Sequence, residues 1–216
     1  VTTTPAGWTA YYERNATTPP ERTLVAALDR FDEEAPGAAR FAVDLGCGQG
    51  RDTVELLRRG WRVLAIDADP DGVARLHRTL GAHLGDRLEV RLGRFEDQSW
   101  PEADLVNASL TLGWCAAGGF PALWQRIAGS VRPGGRFAGQ FHGVHDSGGG
   151  LPSTTRLSAA EIDALVDGCD VELRTEEEEV DAMTPFGIPK RRHLHDVVAR
   201  RRSTGPSGHQ ACHERS

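Results

Sequence analysis

Lysine is nearly absent from the chain: Lys190 is the single one among 25 basic side chains, and the rest are arginine. The skew looks like a coding bias, and no mechanism follows from it. Cysteine is scarce as well. Cys47, Cys115, Cys169 and Cys212 form no C-x-x-C pair, so they read as separate reduced thiols and exclude a disulfide-stapled fold. No apolar run approaches the length that crosses a bilayer, so no membrane partner is expected. The segment Val1-Thr2-Thr3-Thr4-Pro5 lacks the basic residues and apolar core of a secretory signal, and a cytoplasmic location is the expectation. A formal charge of -6 offers no general attraction to phosphate backbones, although Lys190-Arg191-Arg192 and Arg200-Arg201-Arg202 are locally basic. Nucleic acid is therefore not an expected partner.

What is present is enough for one substantial core. At 216 residues and 39% hydrophobic, the chain reads as one domain over residues 1–202, with 203–216 expected to be a disordered tail. Thr18-Pro19-Pro20-Glu21 reads as a helix start with a capping box, followed by Leu24, Val25, Leu28 and Phe31 at helical spacing and a stop at Pro36-Gly37. From residue 40, short apolar runs alternate with amphipathic segments, the pattern of a parallel sheet flanked by helices. Strands are expected over 40–45, 62–67, 88–92, 104–109 and 135–141, with helices over 52–59, 70–80 and 120–130. Arg132-Pro133-Gly134-Gly135 reads as a turn before the fifth strand, and the glycine-rich 146–152 as a flexible loop. A helix over 159–166 and strands over 171–177 and 193–199, an antiparallel pair closing the sheet, complete the expectation.

Gly46-Cys47-Gly48-Gln49-Gly50 lies between a strand and a helix, where backbone can approach a ligand closely and helix N–H groups face an anion. The dinucleotide fingerprint needs a third glycine three residues after the second, and Arg51 stands there, so a nicotinamide cofactor fits poorly. Asp44, at the strand end beside the loop, would repel a pyrophosphate but favour an ammonium or a sulfonium. S-adenosylmethionine carries both cations, and its carboxylate suits the helix N-terminus. Asp67 ends the second strand, where an acid can bind ribose hydroxyls, with Ala68 beside it. Phe95 and Glu96, after the third strand, offer an apolar wall for adenine and an acceptor for its amine. Asp52 and Asp69 read as helix caps.

Val43-Asp44-Leu45-Gly46-Cys47-Gly48-Gln49-Gly50-Arg51-Asp52, Ile66-Asp67-Ala68-Asp69, Asp104-Leu105-Val106-Asn107-Ala108-Ser109 and Arg132-Pro133-Gly134-Gly135-Arg136-Phe137 together resemble the class I S-adenosylmethionine-dependent methyltransferases. With Tyr11-Tyr12, the chain resembles their small-molecule branch, the tellurite-resistance and thiopurine type. The resemblance implies an α/β fold with a Rossmann-like, doubly wound seven-stranded sheet, mostly parallel with an antiparallel last strand. It also implies cofactor contacts at Asp44, Gly46, Gly48, Gly50, Asp67, Ala68, Phe95, Glu96 and Ser109. In this family the first acid of the adenine side often follows a glycine directly, and here Arg94 occupies that position.

Methyl transfer from a sulfonium is an in-line displacement that mainly needs alignment and exclusion of water. Acceptor-side residues belong outside the carboxyl ends of the strands, which nominates His142 and His145 as general-base candidates and Trp114 as a pocket wall. Trp8, Tyr11, Tyr12 and Arg14 are read as a lid, with Arg14 favouring a carboxylate-bearing acceptor. Neither His193 and His195, on one strand face, nor His209, Cys212 and His213 show a four-ligand spacing, and no metal site is assigned. The expected activity is methylation of a small molecule, read as a tailoring step of metabolite or natural-product biosynthesis; the alternative is a non-catalytic S-adenosylmethionine-binding sensor or complex subunit. A nucleic-acid methyltransferase would show Asn or Asp, two prolines and an aromatic where this chain has Asn107-Ala108-Ser109-Leu110. Oligomeric state and acceptor identity are not legible.

Overall fold

The structure, a computed structural model, describes residues 5–80, 86–148 and 155–203, with side chains described from residue 8. A seven-stranded sheet runs in the order β3-β2-β1-β4-β5-β7-β6. Its strands are β1 (Phe41–Leu45), β2 (Arg62–Asp67), β3 (Leu88–Leu92), β4 (Ala103–Ala108), β5 (Val131–His142), β6 (Cys169–Met183) and β7 (Pro189–Arg201). The first five pair in parallel, while β7 runs antiparallel to both β5 and β6. Helices α1 (Pro5–Arg14), α2 (Arg22–Glu34), α3 (Arg51–Arg58), α4 (Pro70–Leu80), α5 (Phe120–Ser130) and α6 (Ala159–Leu165) cover the sheet.

Period-two alternation splits the core between the sheet's faces. Val43, Leu45, Val106, Ala108 and Phe137 pack with Leu123, Trp124 and Ile127 of α5 and Ile162 of α6. Ala42, Val63, Ala65 and Leu105 pack with Leu24, Leu28 and Phe31 of α2, Leu56 of α3 and Leu76 of α4. Strands buried on both faces must be apolar throughout, which is why these runs stand out in the sequence. The strand order reverses between β2-β1 and β4-β5, so the carboxyl ends of β1 and β4 open a crevice where an open α/β sheet binds ligands.

Several local expectations need correction. No capping box forms at Thr18: α2 starts at Arg22 with Glu21 as its N-cap and no side-chain cap. Thr18 Oγ1 instead donates to Asn15 Oδ1 at 3.3 Å, and the Glu21 backbone N–H donates to Asp52 at 2.9 Å. A complete capping box does form at Ser158 and Glu161, at the start of α6. The aromatic segment at the N-terminus is itself a helix, α1. The Arg132-Pro133-Gly134-Gly135 turn falls inside β5, because Ala103 pairs with Val131 and Leu105 with Arg136, leaving the four residues between as a bulge. Asp69 does cap α4, accepting the Gly72 N–H at 3.0 Å, whereas Asp52 caps nothing and is buried under the glycine loop. Most of the 146–152 loop, the 204–216 tail and its His209, Cys212 and His213 lie outside the described residues. Cys47, Cys115 and Cys169 are free. Among the described residues, no helix is long and apolar enough to cross a membrane.

Candidate functional site

The turn after β1 is shaped by its neighbours. Gly46 has φ +69, and a Cβ there would stand 2.0 Å from Thr111 Oγ1, so the loop can sit against the end of β4 only without a side chain. Gly50, at φ +90, is the N-cap of α3, and its missing Cβ leaves room for Leu76 Cδ1. The Gly46 and Cys47 N–H groups donate to Ile66 O at 2.8 and 3.1 Å. Gly48 donates to Asp67 Oδ2 at 2.7 Å, and Asp69 donates to Asp67 Oδ1 at 2.7 Å. One carboxylate at the end of β2 thus sets the glycine loop and the entry to α4. Each oxygen retains acceptor capacity, since an ionised carboxylate offers about four lone-pair sites. Burial raises the Asp67 carboxyl above its usual range, against the pull of these N–H groups.

Below the loop lies a closed polar network. Asn107 of β4 donates through Nδ2 to Asp44 Oδ1 at 2.9 Å and to Asp52 Oδ2 at 3.0 Å. Thr53 donates to Asp44 Oδ2 at 2.5 Å. Burial, with Asp52 nearby, pushes the Asp44 carboxyl up to about 7. Asp44 and Gly50 are consequently absent from the cavity wall: the first supports the loop from beneath and the second opens α3.

The cavity occupies about 1080 Å³ above the carboxyl ends of the strands. Gly46, Gly48, Asp67 and Ala68 line its floor; Phe95, Glu96 and Ser109 line its flank. Glu96 is already paired with Arg94, which also faces the cavity. Ser109 Oγ donates to Asn107 Oδ1 at 3.3 Å. The next residue, Leu110, has φ +57, the one positive value outside glycine among the described residues, and its N–H is held by Gln140 Oε1 at 2.9 Å. A strained residue pinned at a cavity wall is a common feature of ligand sites.

Helix α1 borders the cavity with Trp8, Tyr11, Tyr12 and Arg14. Trp8 packs edge-on against Trp114 at 5.3 Å and Phe186 at 5.2 Å, and stacks on Tyr12 at 6.1 Å. Tyr12 fills the space left by Gly48 and Gly72, and burial raises its phenol far above the usual value. Gln49 Nε2 ties the loop to Tyr12 O at 3.0 Å, and Arg14 Nη2 reaches Pro185 O at 2.6 Å. Tyr11, Arg14 and Trp114 all face the cavity.

The two histidines part company. His142, at the end of β5, is on the cavity wall. Its ring occupies the space a Cβ on Gly113 would need, and its Nδ1 is buried without a hydrogen-bond partner. Burial, helped by Lys190 and Arg156, holds its pKa at about 4 against the opposing charge of Asp146. His145 is off the wall, 55% exposed, with Nδ1 at 2.5 Å from Glu178 Oε1.

The β6–β7 hairpin supplies wall residues for which the sequence reading held no signal: Phe186 beside Trp8, and Lys190, Arg192 and Leu194 directly on the cavity. Lys190 pairs with Asp146 at 2.8 Å and Arg192 with Glu179 at 2.6 Å. Thr184-Pro185-Phe186-Gly187 carries ordinary turn chemistry, with Gly187 at φ +74, and would have announced the hairpin tip. Nothing in the sequence announces that the tip reaches α1.

A glycine loop at the switch point of a β3-β2-β1-β4-β5-β7-β6 sheet is the arrangement that the resemblance to class I S-adenosylmethionine-dependent methyltransferases implies. Residues 42–135 match the family described as methyltransferase domain. Among curated proteins, the chain is 35% identical over 133 residues to trans-aconitate 2-methyltransferase of Mycobacterium sp. (strain KMS), covering 58% of this chain and 46% of that protein. It is 33% identical over 104 residues to a probable cobalt-precorrin-6B C(15)-methyltransferase (decarboxylating) of Methanothermobacter thermautotrophicus, covering 47% and 52%. The chain thus spans about half the length of these relatives. In fold it is similar to TehB of Haemophilus influenzae, with TM-score 0.72, 16% identity and coverage of 89% of this chain and 66% of that one. A Burkholderia thailandensis 1,6-didemethyltoxoflavin-N1-methyltransferase, solved with bound 1,6-didemethyltoxoflavin and S-adenosylhomocysteine, has TM-score 0.61, 18% identity and coverage of 92% and 87%.

Proposed function

We propose that the protein transfers the methyl group of S-adenosylmethionine to a small anionic acceptor. The observation that carries the reading is the junction of Gly48 and Asp67, a carboxylate braced by the loop N–H at the floor of a cavity large enough for a cofactor and an acceptor together. Ligand sites usually enclose about 300–1,000 Å³, so 1080 Å³ leaves room beyond the cofactor. The cradle fits the group: Gly46 and Gly48 border the cavity, Asp67 retains lone pairs for ribose hydroxyls, and Phe95 and Glu96 border the same space. The methyltransferases named above, which act on small molecules, support the same reading.

S-adenosylmethionine supplies an activated methyl on a cationic sulfur with a neutral leaving group. The chain supplies position and dryness. Trp8, Trp114 and Phe186 exclude water from the mouth, and Gly46 and Gly48 border the space the cofactor would take. Arg14 borders the cavity with its guanidinium on Pro185 O rather than on a carboxylate and favours a negatively charged molecule, while Lys190 and Arg192 on the same wall are held in pairs with Asp146 and Glu179. His142 is neutral at pH 7 and weakly basic at a pKa of about 4, which suits an acceptor that is already ionised rather than an alcohol needing a strong base. A carboxylate is the acceptor group that these features match best.

The test is calorimetric titration with S-adenosylmethionine, S-adenosylhomocysteine and NADH, followed by turnover against a panel of carboxylate, phenol, thiol and amine acceptors. Micromolar binding of the first two alone, with turnover on carboxylates, is expected. NADH binding, or no binding of either adenosyl ligand, would overturn the cofactor; binding without turnover on any acceptor would support a sensor instead.

A further inference from the structure

On the sheet face that points away from the cavity, the β6–β7 hairpin gathers a second set of reactive side chains. Side chains alternate along a strand, so His193 and His195 face away from Arg192 and Leu194, which line the cavity. The register sets Glu176 opposite His195 and Glu178 opposite His193. His193 Nε2 lies 2.8 Å from Glu176 Oε1, and His195 Nδ1 lies 3.8 Å from Glu176 Oε2. The two imidazole centroids are 4.6 Å apart, and one donor atom from each of Glu176, His193 and His195 falls within 4.8 Å of the others.

One member of this group has no other use in the structure. His195 is 1% exposed, and neither of its ring nitrogens has a hydrogen-bond partner. Buried polar groups are almost always bonded, so an imidazole left wholly unbonded calls for an explanation. Packing alone does not provide one, because a phenyl ring would fill the space without the desolvation cost. The surrounding charges are Glu176, Glu178 and Arg174 on β6, Arg191 on β7, His145 from the loop after β5 and Asp163 on α6. Arg174 is drawn toward Asp163, at 3.6 Å, and Arg191 toward Glu178, which leaves Glu176 to the two histidines.

We propose that Glu176, His193 and His195 form a binding site for one divalent transition-metal ion of the zinc class, tying β6 to β7 on the face opposite the cavity. Two imidazole nitrogens and one carboxylate oxygen suit zinc, cobalt, nickel or copper and disfavour calcium and magnesium, which take oxygen ligands. Three protein ligands leave a fourth tetrahedral position for water, and solvent reaches it because Glu176 is 54% exposed. His193 would bind through Nε2 and carry its proton on Nδ1, 3.9 Å from Glu178 Oε1, the carboxylate-to-histidine support common in metal sites. The backbone N–H of His145, now 3.2 Å from that Nδ1, would turn aside on loading. The exposed His145 and Glu178 form a weaker grouping around His193, since Glu178 is already committed to Arg191.

Titration of the metal-free chain with Co(II), followed by zinc displacement and chelator competition, tests the site. One Co(II) per chain is expected, with the intense visible bands of a four-coordinate ion, and zinc should raise Tm. Glu176→Gln leaves the metal-free fold intact and should weaken binding about tenfold or more, a loss that even outer-shell changes reach. His195→Asn should abolish the visible bands. His209→Asn with His213→Asn should leave binding unchanged. Absence of stoichiometric Co(II) binding overturns the proposal, and so does binding that survives Glu176→Gln but is lost with the two tail histidines.

Discussion

Asp67 accepts the Gly48 N–H at 2.7 Å, so the acid that ends β2 and the glycine loop that follows β1 form one rigid unit. Replacing it tests the cofactor assignment directly. Asp67→Ala should weaken S-adenosylmethionine binding by about 1–3 kcal/mol through lost charged hydrogen bonds. Calorimetry measures this, and an unchanged affinity would refute the placement of ribose there. A parallel urea titration separates the binding loss from any loosening of the loop.

Gly46→Ala puts a methyl 2.0 Å from Thr111 Oγ1 on a backbone at φ +69. Steric overlap and conformational strain should each cost about 1–3 kcal/mol, seen as a lower urea midpoint and as lost cofactor binding. Gly60→Ala is the control: it shares a positive φ, at +87, but a Cβ there meets nothing within 4 Å. It should show the conformational cost alone, with cofactor affinity retained. Equal loss of binding in both variants would sink the close-packing argument.

Trp8 touches Tyr11, Tyr12, Trp114 and Phe186, and so joins α1 to two other parts of the cavity rim. Trp8→Ala should weaken ligand binding by about 1–2 kcal/mol and expose α1 to proteolysis, with the sheet core left intact. Limited proteolysis with and without S-adenosylhomocysteine reads this out. Ligand protection of the wild type that vanishes in the variant is the expected pattern; identical protection in both would remove α1 as a lid.

His142 links stability to pH with a definite sign. Its folded pKa, held at about 4 by burial, lies below the ordinary 6.5, so the folded chain binds fewer protons than the unfolded one. The stability this provides is complete above pH 6.5 and is lost as pH falls toward 4, by at most about 3 kcal/mol. His142→Asn should flatten that slope in Tm measured between pH 7 and 4. A wild-type slope that is unchanged by the substitution would show that the ring titrates normally.

The helices over 70–80 and 120–130 and the parallel strands could be read at their observed places because local signals and burial agree there. β1, β2 and β4 send apolar residues to both faces, whereas the edge strand β3 alternates them with Glu89 and Arg91. The capping box expected at Thr18 failed because Asp52 and Asn15, remote or non-helical partners, took the groups it would have used. The turn at Pro133-Gly134-Gly135 was recognised as irregular, but only the pairing of Ala103 with Val131 places it inside β5. Asp44 illustrates the limit at the site. Its position beside the loop was legible, while its burial under Asn107 and Thr53 depends on β4 and α3 meeting there.

The sequence by itself determined the order of strands and helices, the glycine turn and the acid that ends β2, because these depend on local conformational preference and periodic burial. Tertiary structure alone decided which side chains share a space. His142 and His145 differ by three positions, yet one lines the cavity and the other faces solvent, since the chain leaves β5 between them. Phe186 meets Trp8, and Glu176 meets His195, only because β7 folds back antiparallel between β5 and β6. Contacts between residues so distant in the chain follow from the pairing of whole strands, which no local pattern encodes.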